Sequence, residues 1–231
     1  WFDPVHGLYR HGPGKQSPVM HSGIYGYWSS VYGLMLADLY PEDPEFQEQA
    51  DSIYTNFLKV AEGLGCPDAP DFYNYGFNLE TGLKDGRSEP MNRLGNAPNV
   101  AWVCMIGYAK TGNLAMLEAA RSGMQWYVEN PGRYEATCLM GPITAARLNA
   151  EYGQSIPLAP VFAAWFGDGE RKMHPWHVTQ TSRFGGMDCA GLDAAKWNLE
   201  EGTFHAFTMS SLLGPSWLVP VVRYDQRYAK K

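Results

Sequence analysis

The sequence has no excess of positive charge. Its 18 lysine and arginine residues are outnumbered by 24 aspartates and glutamates, which gives a formal net charge of −6 and a pI near 5.5. A protein that binds nucleic acid needs a basic face to displace the counterions of the phosphates. The charge balance therefore argues against a nucleic-acid partner.

Long apolar runs are also missing. No stretch of eighteen apolar residues occurs, and the chain does not open with a charged, apolar and small-residue series. We therefore expect neither a membrane span nor a retained signal peptide. Cysteine is scarce as well: Cys66, Cys104, Cys138 and Cys189 show no CxxC spacing, and we expect them to be free thiols. The GxSxG, P-loop and GxGxxG motifs do not occur.

Aromatic residues are abundant, whereas charged residues are few. Aromatics make up 14% of the chain, with 8 Trp and 14 Tyr, and charged residues only 18%, against roughly 25% in an average globular chain. Most such side chains belong to a core. Trp and Tyr also line sugar-binding clefts, because each offers a flat apolar face and one polar group.

Apolar residues at helical spacing predict helices that come in pairs. The pairs are 24–39 with 43–65, 98–112 with 113–130, 134–153 with 157–167, and a fourth that begins near Thr203 and continues from Pro215. Asp43 is a natural N-cap and Pro44 suits the first helical position. Pro142 must either kink the helix 134–153 or mark its true start.

Repeated helical hairpins cannot bury their apolar faces alone, so they must stack. We therefore predict an all-α fold with a single domain over residues 1–231. About seven or eight helices would form antiparallel hairpins, arranged as an (α/α) toroid or as part of one. We expect no sheet apart from a small β-hairpin within residues 73–86.

Three long segments, residues 1–22, 66–98 and 167–202, precede the first helix of a pair. In an alternating array they lie at the same end, and long loops gathered on one face usually carry function. Histidine, which is common in active sites, is confined to these segments and to the first turn of the fourth pair. The histidines are His6, His11, His21, His174, His177 and His205.

Carboxylates at this end suit glycoside hydrolysis, which needs one acid and one base or nucleophile. Asp188 is the first candidate, because the preceding Gly-Gly pair permits close approach of a ligand. Its alternative role is to cap a helix that begins near Cys189. Asp193 is assigned to backbone capping or to solvent. Glu135 is the second candidate, although a glutamate in a first turn also stabilises a helix.

A polysaccharide lyase would need other groups, namely a base such as histidine and a cation that neutralises a uronate carboxylate. His177 and Arg183 could supply them. A metal ion bound by His174 and His177 stays an open alternative. A metal site needs three or four ligands, however, and the sequence offers no clear third ligand beside these two histidines. The sequence therefore predicts neither a metal nor another cofactor.

The expected partner is a carbohydrate substrate with negative charge, most simply a uronic acid. Arginine can pair with its carboxylate through two hydrogen bonds while an aromatic ring covers the sugar. The residues predicted to bind substrate in this cleft are Arg10, Arg87, Arg183, Tyr73, Tyr75, Trp176, His174 and His205.

Five stretches carry a family pattern. They are ETGLKDGRSEP (80–90), residues 101–112, TAARLNAE (144–151), GGMDCAGL (185–192) and VVRYDQRYAK (221–230). Together they resemble secreted bacterial (α/α)-toroid proteins of the six-hairpin glycosidase type. The resemblance implies a toroid fold, a secreted or periplasmic location, a role in polysaccharide breakdown, and a place for Asp188 in the cleft.

Toroids of this kind include hydrolases of uronic-acid-containing glycans, lyases and members without assigned activity. We favour a glycoside hydrolase with Asp188, Glu135 and His177 as the candidate catalytic residues. A polysaccharide lyase is the runner-up, and a non-catalytic glycan-binding or structural toroid is the alternative from another class. Six closed hairpins need more helices than this sequence predicts. We therefore expect the chain to be incomplete at one or both ends, or to assemble with a missing segment or another subunit.

Overall fold

The fold is described by a computed structural model. It covers residues 1–10, 19–21, 27–74, 76–85, 96–132, 139–166, 177–178, 183–184, 186–188, 190–198, 203–206 and 208–229. These residues are mainly helical, as the apolar periodicity predicted. None of the helices in this part of the chain is long and apolar enough to cross a membrane.

Seven α-helices lie within the described residues, and six of them form the first three expected hairpins. The helices are α1 (Tyr27–Leu39), α2 (Pro44–Gly63), α3 (Asn96–Thr111), α4 (Leu114–Glu129), α5 (Gly141–Tyr152), α6 (Leu158–Phe166) and α7 (Thr208–Leu218). Two 3₁₀-helices, Val219–Arg223 and Gln226–Tyr228, follow α7. The fourth hairpin is represented by α7 and these two short turns.

Local signals set two of the helix starts. The carboxylate of Asp43 accepts the backbone N–H groups of Glu45 at 2.9 Å and Phe46 at 3.4 Å, which confirms the predicted cap of α2. The choice left open at Pro142 is also settled. It lies in the first turn of α5, where its missing N–H costs no hydrogen bond, so it marks a helix start rather than a kink.

The helices α1 and α3 run in the same direction. Near their C-terminal ends, Lys110 Nζ lies 3.8 Å from Asp38 Oδ1. At the opposite end, Asn74 is hydrogen-bonded both to Tyr27 and to Asn96, the first described residues of the two helices. Both helices therefore begin at one end of the array, which we call the upper end.

The helix α5 has the same direction as α3. The rings of Tyr108 and Tyr152, near the C-terminal ends of the two helices, meet edge to face at 5.3 Å. At the upper end, Gly141 packs beside Pro98, so that a Cβ atom at Gly141 would lie 3.6 Å from Pro98 Cγ. Three parallel helices thus begin together at the upper end.

The helices form two layers. In the first layer α3 contacts α1 and α5, and in the second layer α4 contacts α2 and α6. The helix α7 contacts α5, and Trp217 near its end meets Trp102 of α3 edge to face at 5.7 Å, which extends the first layer. The described part of the chain is therefore a stack of antiparallel hairpins, as the repeats of helical pairs predicted.

The core lies between the two layers. Ile53 and Phe57 of α2 and Val100 of α3 are fully buried. The predicted stripes are largely confirmed, but Met35 was expected on the apolar face of α1 and is exposed. Of the cysteines, Cys66 and Cys104 are free and buried as expected, while Cys138 and Cys189 lie outside the described residues.

Short strands occupy much of the described long segments. They are β1 (Phe2–Asp3), β2 (Leu8–Tyr9), β3 (Val19–His21), β4 (Gly76–Asn78), β5 (Leu83–Asp85), β6 (His177–Val178), β7 (Arg183–Phe184), β8 (Met187–Asp188), β9 (Asp193–Asn198) and β10 (Thr203–Ala206). All observed pairs are antiparallel, in the orders β1-β2, β3-β4-β5, β7-β8 and β10-β9-β6.

The hairpin β4–β5 confirms the one predicted within residues 73–86, but the expectation of no further sheet is wrong. Strands of two to six residues are too short for an alternating pattern to show in the sequence. The helix expected from Thr203 is wrong for the same reason. Residues 203–206 pair with β9 instead, and α7 begins at Thr208.

The first two long segments meet in one sheet. Strand β3 of the first segment pairs with β4 of the second, with Met20 opposite Phe77. Asn74, which binds the start of α1, also donates to the carbonyl of Gly76 at the beginning of β4. The sheet is thereby tied to the upper end, where the sequence predicted that the long segments gather.

The substitution Phe57→Ala should lower the free energy of unfolding by about 3–5 kcal/mol, because it leaves a ring-sized cavity between the layers. Chemical denaturation followed by far-ultraviolet circular dichroism measures the loss. The exposed Leu114 at the start of α4 provides the control, since Leu114→Ala should change stability by less than about 0.5 kcal/mol. Equal effects of the two substitutions would contradict the placement of the core.

Candidate functional site

A buried polar network lies at the upper end. The amide nitrogen of Asn74 donates to the hydroxyl of Tyr27 at 2.9 Å and to the carbonyl of Gly76 at 2.7 Å. The amide nitrogen of Asn96 donates to the carbonyl of Asn74 at 3.2 Å. Burial raises the pKa of the Tyr27 phenol well above its usual value, so the phenol stays neutral. The network therefore joins two helix starts to the loop before β4.

Small polar side chains lie one turn further along the helices of the first layer. They are Ser30 of α1, Asn99 of α3, Thr144 of α5 and Ser211 of α7. The first three are fully buried. Ser211 holds the third long segment in place. Its hydroxyl accepts a hydrogen bond from the backbone N–H of Asp193 at 2.8 Å.

Several buried acceptors at this end have no hydrogen-bond partner among the described residues. They are the hydroxyl oxygens of Ser30 and Thr144 and the amide oxygens of Asn74 and Asn96. Buried polar atoms of folded proteins are nearly always satisfied, either by protein groups or by ordered water. The upper end therefore has more hydrogen-bonding capacity than the described residues use among themselves.

Tyr73, one of the predicted substrate-binding residues, lies beside this network. Its hydroxyl donates to Asn130 Oδ1 at 2.9 Å, and its ring meets Trp126 edge to face at 5.1 Å. Asn130 follows the last turn of α4, which ends at the upper end because α4 returns antiparallel to α3. The residue as a whole is partly buried.

Arg10, which the sequence suggested for binding a uronate, already has a carboxylate partner. Arg10 Nε lies 3.0 Å from Asp3 Oδ2, and His6 Nδ1 lies 2.7 Å from the same oxygen. Burial alone would raise the pKa of Asp3, but the His6 bond, the Val5 amide and the charge of Arg10 outweigh it and lower that pKa. Arg10 thus stabilises the hairpin β1–β2.

Asp188 is exposed at the end of the hairpin β7–β8. Gly186 in the turn of that hairpin has φ of 85°, a left-handed conformation that favours glycine, as the Gly-Gly pair suggested. The carboxylate accepts the backbone N–H of Ala190 at 3.0 Å. The alternative of a helix cap is wrong, because the described residues after Asp188 form a turn and then strand β9 instead of a helix.

The structure corrects one part of the assignment of Asp193. Its expected role was to cap the backbone or to face solvent, and a place in solvent is wrong because the residue is only 1% exposed. Its backbone is held between β6, where it pairs with Val178, and α7, through the bond from its N–H to Ser211. Asp193 and the AAKW residues that follow it (194–197) belong to strand β9.

Asp193 lines a cavity of about 310 Å³ between α6, α7 and the first 3₁₀-helix. The lining residues are Phe162, Trp165, Phe166, Gly191, Asp193, Ser211, Gly214, Pro215, Leu218, Val219, Val222, Tyr228 and Ala229. The sequence contained the aromatic stripe of α6, but such a stripe usually indicates core. Only the approach of α7 and the second 3₁₀-helix turns it into the wall of a cavity.

The other predicted site residues are only partly placed. His177 and His205 lie on strands β6 and β10, which flank β9 and pair with the adjacent residues Ala194 and Ala195. Arg183 on β7 pairs with Asp188 on β8. The sequence predictions for Glu135, Arg87, Tyr75, His174 and Trp176 fall outside the described residues. Within the described part, no group of three His, Cys, Asp or Glu residues is arranged to hold a metal ion.

Comparisons with known proteins add no relative. No protein family, no curated protein and no solved structure matches the chain.

The substitution Asn74→Ala should lower the free energy of unfolding by about 2–4 kcal/mol, because it leaves the Tyr27 hydroxyl and the Gly76 carbonyl buried without this donor. Tyr27→Phe removes one hydroxyl only and should cost about 1 kcal/mol. In denaturant titrations the double variant should lose less than the sum of the single losses, because the two groups interact. Strict additivity would show that the bond between them contributes nothing.

Proposed function

We propose that this protein is a carbohydrate-active enzyme of the (α/α)-toroid type that hydrolyses glycosidic bonds in uronic-acid-containing glycans. One observation carries the proposal: three parallel helices begin together at the upper end, where two long segments share a sheet. Loops gathered on one face of a regular scaffold are the usual place for a site.

Hydrolysis requires an acid and a base or nucleophile on either side of the scissile bond. Asp188 supplies one of them, since its carboxylate is exposed at the end of a short hairpin. Glu135 is the second carboxylate in this proposal. His177, on strand β6, acts in proton transfer at the same site.

The substrate is anionic. Arg183 and Arg87 pair with the uronate carboxylate, while Tyr73, Tyr75 and Trp176 cover sugar rings and His174 and His205 bind hydroxyl groups. Arg10 is left out because it is bound to Asp3. Among these proposed substrate-binding residues, Tyr73 packs against a described neighbour, Trp126, and this contact keeps its ring in one orientation.

A panel of uronic-acid polysaccharides tests the reaction, and Asp188→Asn tests the residue. We expect new reducing ends without absorbance in the near ultraviolet, and a loss of turnover of about a hundredfold or more in Asp188→Asn, as when an acid-base group is removed. Asp68→Asn, at another exposed carboxylate, is the matched control.

Two outcomes would redirect this proposal. Products with an unsaturated ring, which absorbs in the near ultraviolet, would assign the protein as a lyase. Retention on a glycan column without any product would assign it as a binding protein.

The charge of the substrate is tested with a polysaccharide and its carboxyl-reduced form, which differ only at the uronate. We expect kcat/KM to fall at least about tenfold on reduction, because the arginines lose a charge-assisted pair worth about 1.5–3 kcal/mol. Equal kcat/KM values for the two polymers would contradict an arginine-bound uronate, whatever the reaction turns out to be.

A further inference from the structure

The cavity between α6, α7 and the first 3₁₀-helix has the volume of a small-molecule site. Its volume of about 310 Å³ lies at the lower end of the range of about 300–1,000 Å³ that is usual for ligand pockets. It is also larger than an apolar cavity of about 150 Å³, which takes up benzene. The space therefore fits a compact molecule of one or two fused rings.

The walls of this cavity are mainly apolar. They include the side chains of Phe162, Trp165, Phe166, Pro215, Leu218, Val219, Val222, Tyr228 and Ala229. Phe166, Leu218 and Val222 are only partly buried, so these side chains still have surface for a ligand to cover. An apolar ligand is therefore stabilised here, because both its own surface and that of the walls leave water.

Direct packing holds the walls in place. The ring of Phe162 on α6 is stacked on the ring of Tyr228 on the second 3₁₀-helix, with centroids 4.2 Å apart and planes inclined by 12°. At Gly214, α7 lies so close to α6 that a Cβ atom there would be 3.2 Å from the ring of Trp165. Because the walls are fixed by these contacts, few side chains have to be ordered when a ligand binds.

The cavity offers little to a charged or strongly polar ligand. None of its described lining residues is basic. Asp193 is 1% exposed and already takes part in other interactions, so its carboxylate belongs to the interior of the protein. The hydroxyl of Ser211 accepts the backbone N–H of Asp193. A charged group or a sugar hydroxyl placed here would leave water without a new partner, so the anionic glycan of the proposed function does not belong in this cavity.

We propose that this cavity is a binding site for an uncharged apolar ring compound with the size of one or two fused rings. The ring system lies against the aromatic side chains of α6 and the second 3₁₀-helix and against the aliphatic side chains of the first 3₁₀-helix. The site is separate from the proposed glycan site and does not rest on the glycan reaction.

Three indoles of similar shape and different charge test this site by ligand-observed nuclear magnetic resonance. The neutral compound is 3-ethylindole, the cation is tryptamine and the anion is indole-3-propionate. We expect 3-ethylindole to bind with a Kd below about 1 mM and at least about fivefold more tightly than either charged compound, because it brings no charge out of water. Equal affinities for the three, or no binding of 3-ethylindole at about 1 mM, would overturn the proposal.

Substitutions locate the binding. Val222→Trp places a large ring in the cavity and should abolish 3-ethylindole binding, whereas Val5→Trp adds the same ring at an exposed position outside the lining and should leave the affinity unchanged. Val219→Asp puts a carboxylate at an exposed part of the lining and should remove the preference for 3-ethylindole over tryptamine. Binding that survives Val222→Trp in a folded protein, or an equal loss in Val5→Trp, would place the compound elsewhere and overturn the assignment.

The variants are checked for folding by circular dichroism before titration. If Val222→Trp does not fold, Val219→Asp still decides the question, because Val219 is 68% exposed, and an unchanged preference in that variant would overturn the site. Glucuronate at about 10 mM should leave 3-ethylindole binding unchanged, and displacement would contradict a site separate from the glycan. In analytical ultracentrifugation, a dimer that Val222→Trp disperses would place a second copy of the chain on this surface and overturn the assignment.

Discussion

The architecture of the upper end depends on the hydrogen bonds of one buried side-chain nitrogen, that of Asn74. Asn74 lies in a loop, is fully buried, and has its nitrogen bonded to both Tyr27 and Gly76. The backbone carbonyl of Asn74 accepts a hydrogen bond from the side-chain nitrogen of Asn96. A buried amide without partners costs several kcal/mol, so these bonds hold α1, α3 and the strand β4 in one arrangement. Tyr73, the residue before Asn74, takes its position from the same constraint.

Two carboxylates in one segment have opposite surroundings. Asp188 ends a short hairpin in solvent, whereas Asp193, five residues later, starts a strand that is clamped between β6 and α7. The segment thereby contributes one exposed carboxylate, which our proposal places at the glycan site, and one carboxylate that belongs to the packed interior.

The helices of the first layer share a side-chain position that can hold the long segments. Each of its helices has a small polar residue one turn from its start, and at Ser211 this residue binds the backbone of the third segment. Ser30 and Thr144 have a hydroxyl at the same level of their helices, and neither hydroxyl has a hydrogen-bond partner among the described residues. Because such side chains are short, they let segments approach closely and supply a hydrogen bond at the point of contact.

The helical pairs, the Asp43 cap and the hairpin β4–β5 could be predicted from sequence, because helix period, capping and turn chemistry act between residues close in the chain. The burial of Asp193, the strands β9 and β10 and the cavity beside α6 could not. They depend on contacts between α6, α7 and β9, residues that are far apart along the chain, and short apolar runs have no period that separates strand from helix. The sequence by itself determined the stacked hairpins and the end at which function was expected. Tertiary structure alone decided which carboxylate is exposed and which is enclosed, since burial is set by the elements that pack around a residue.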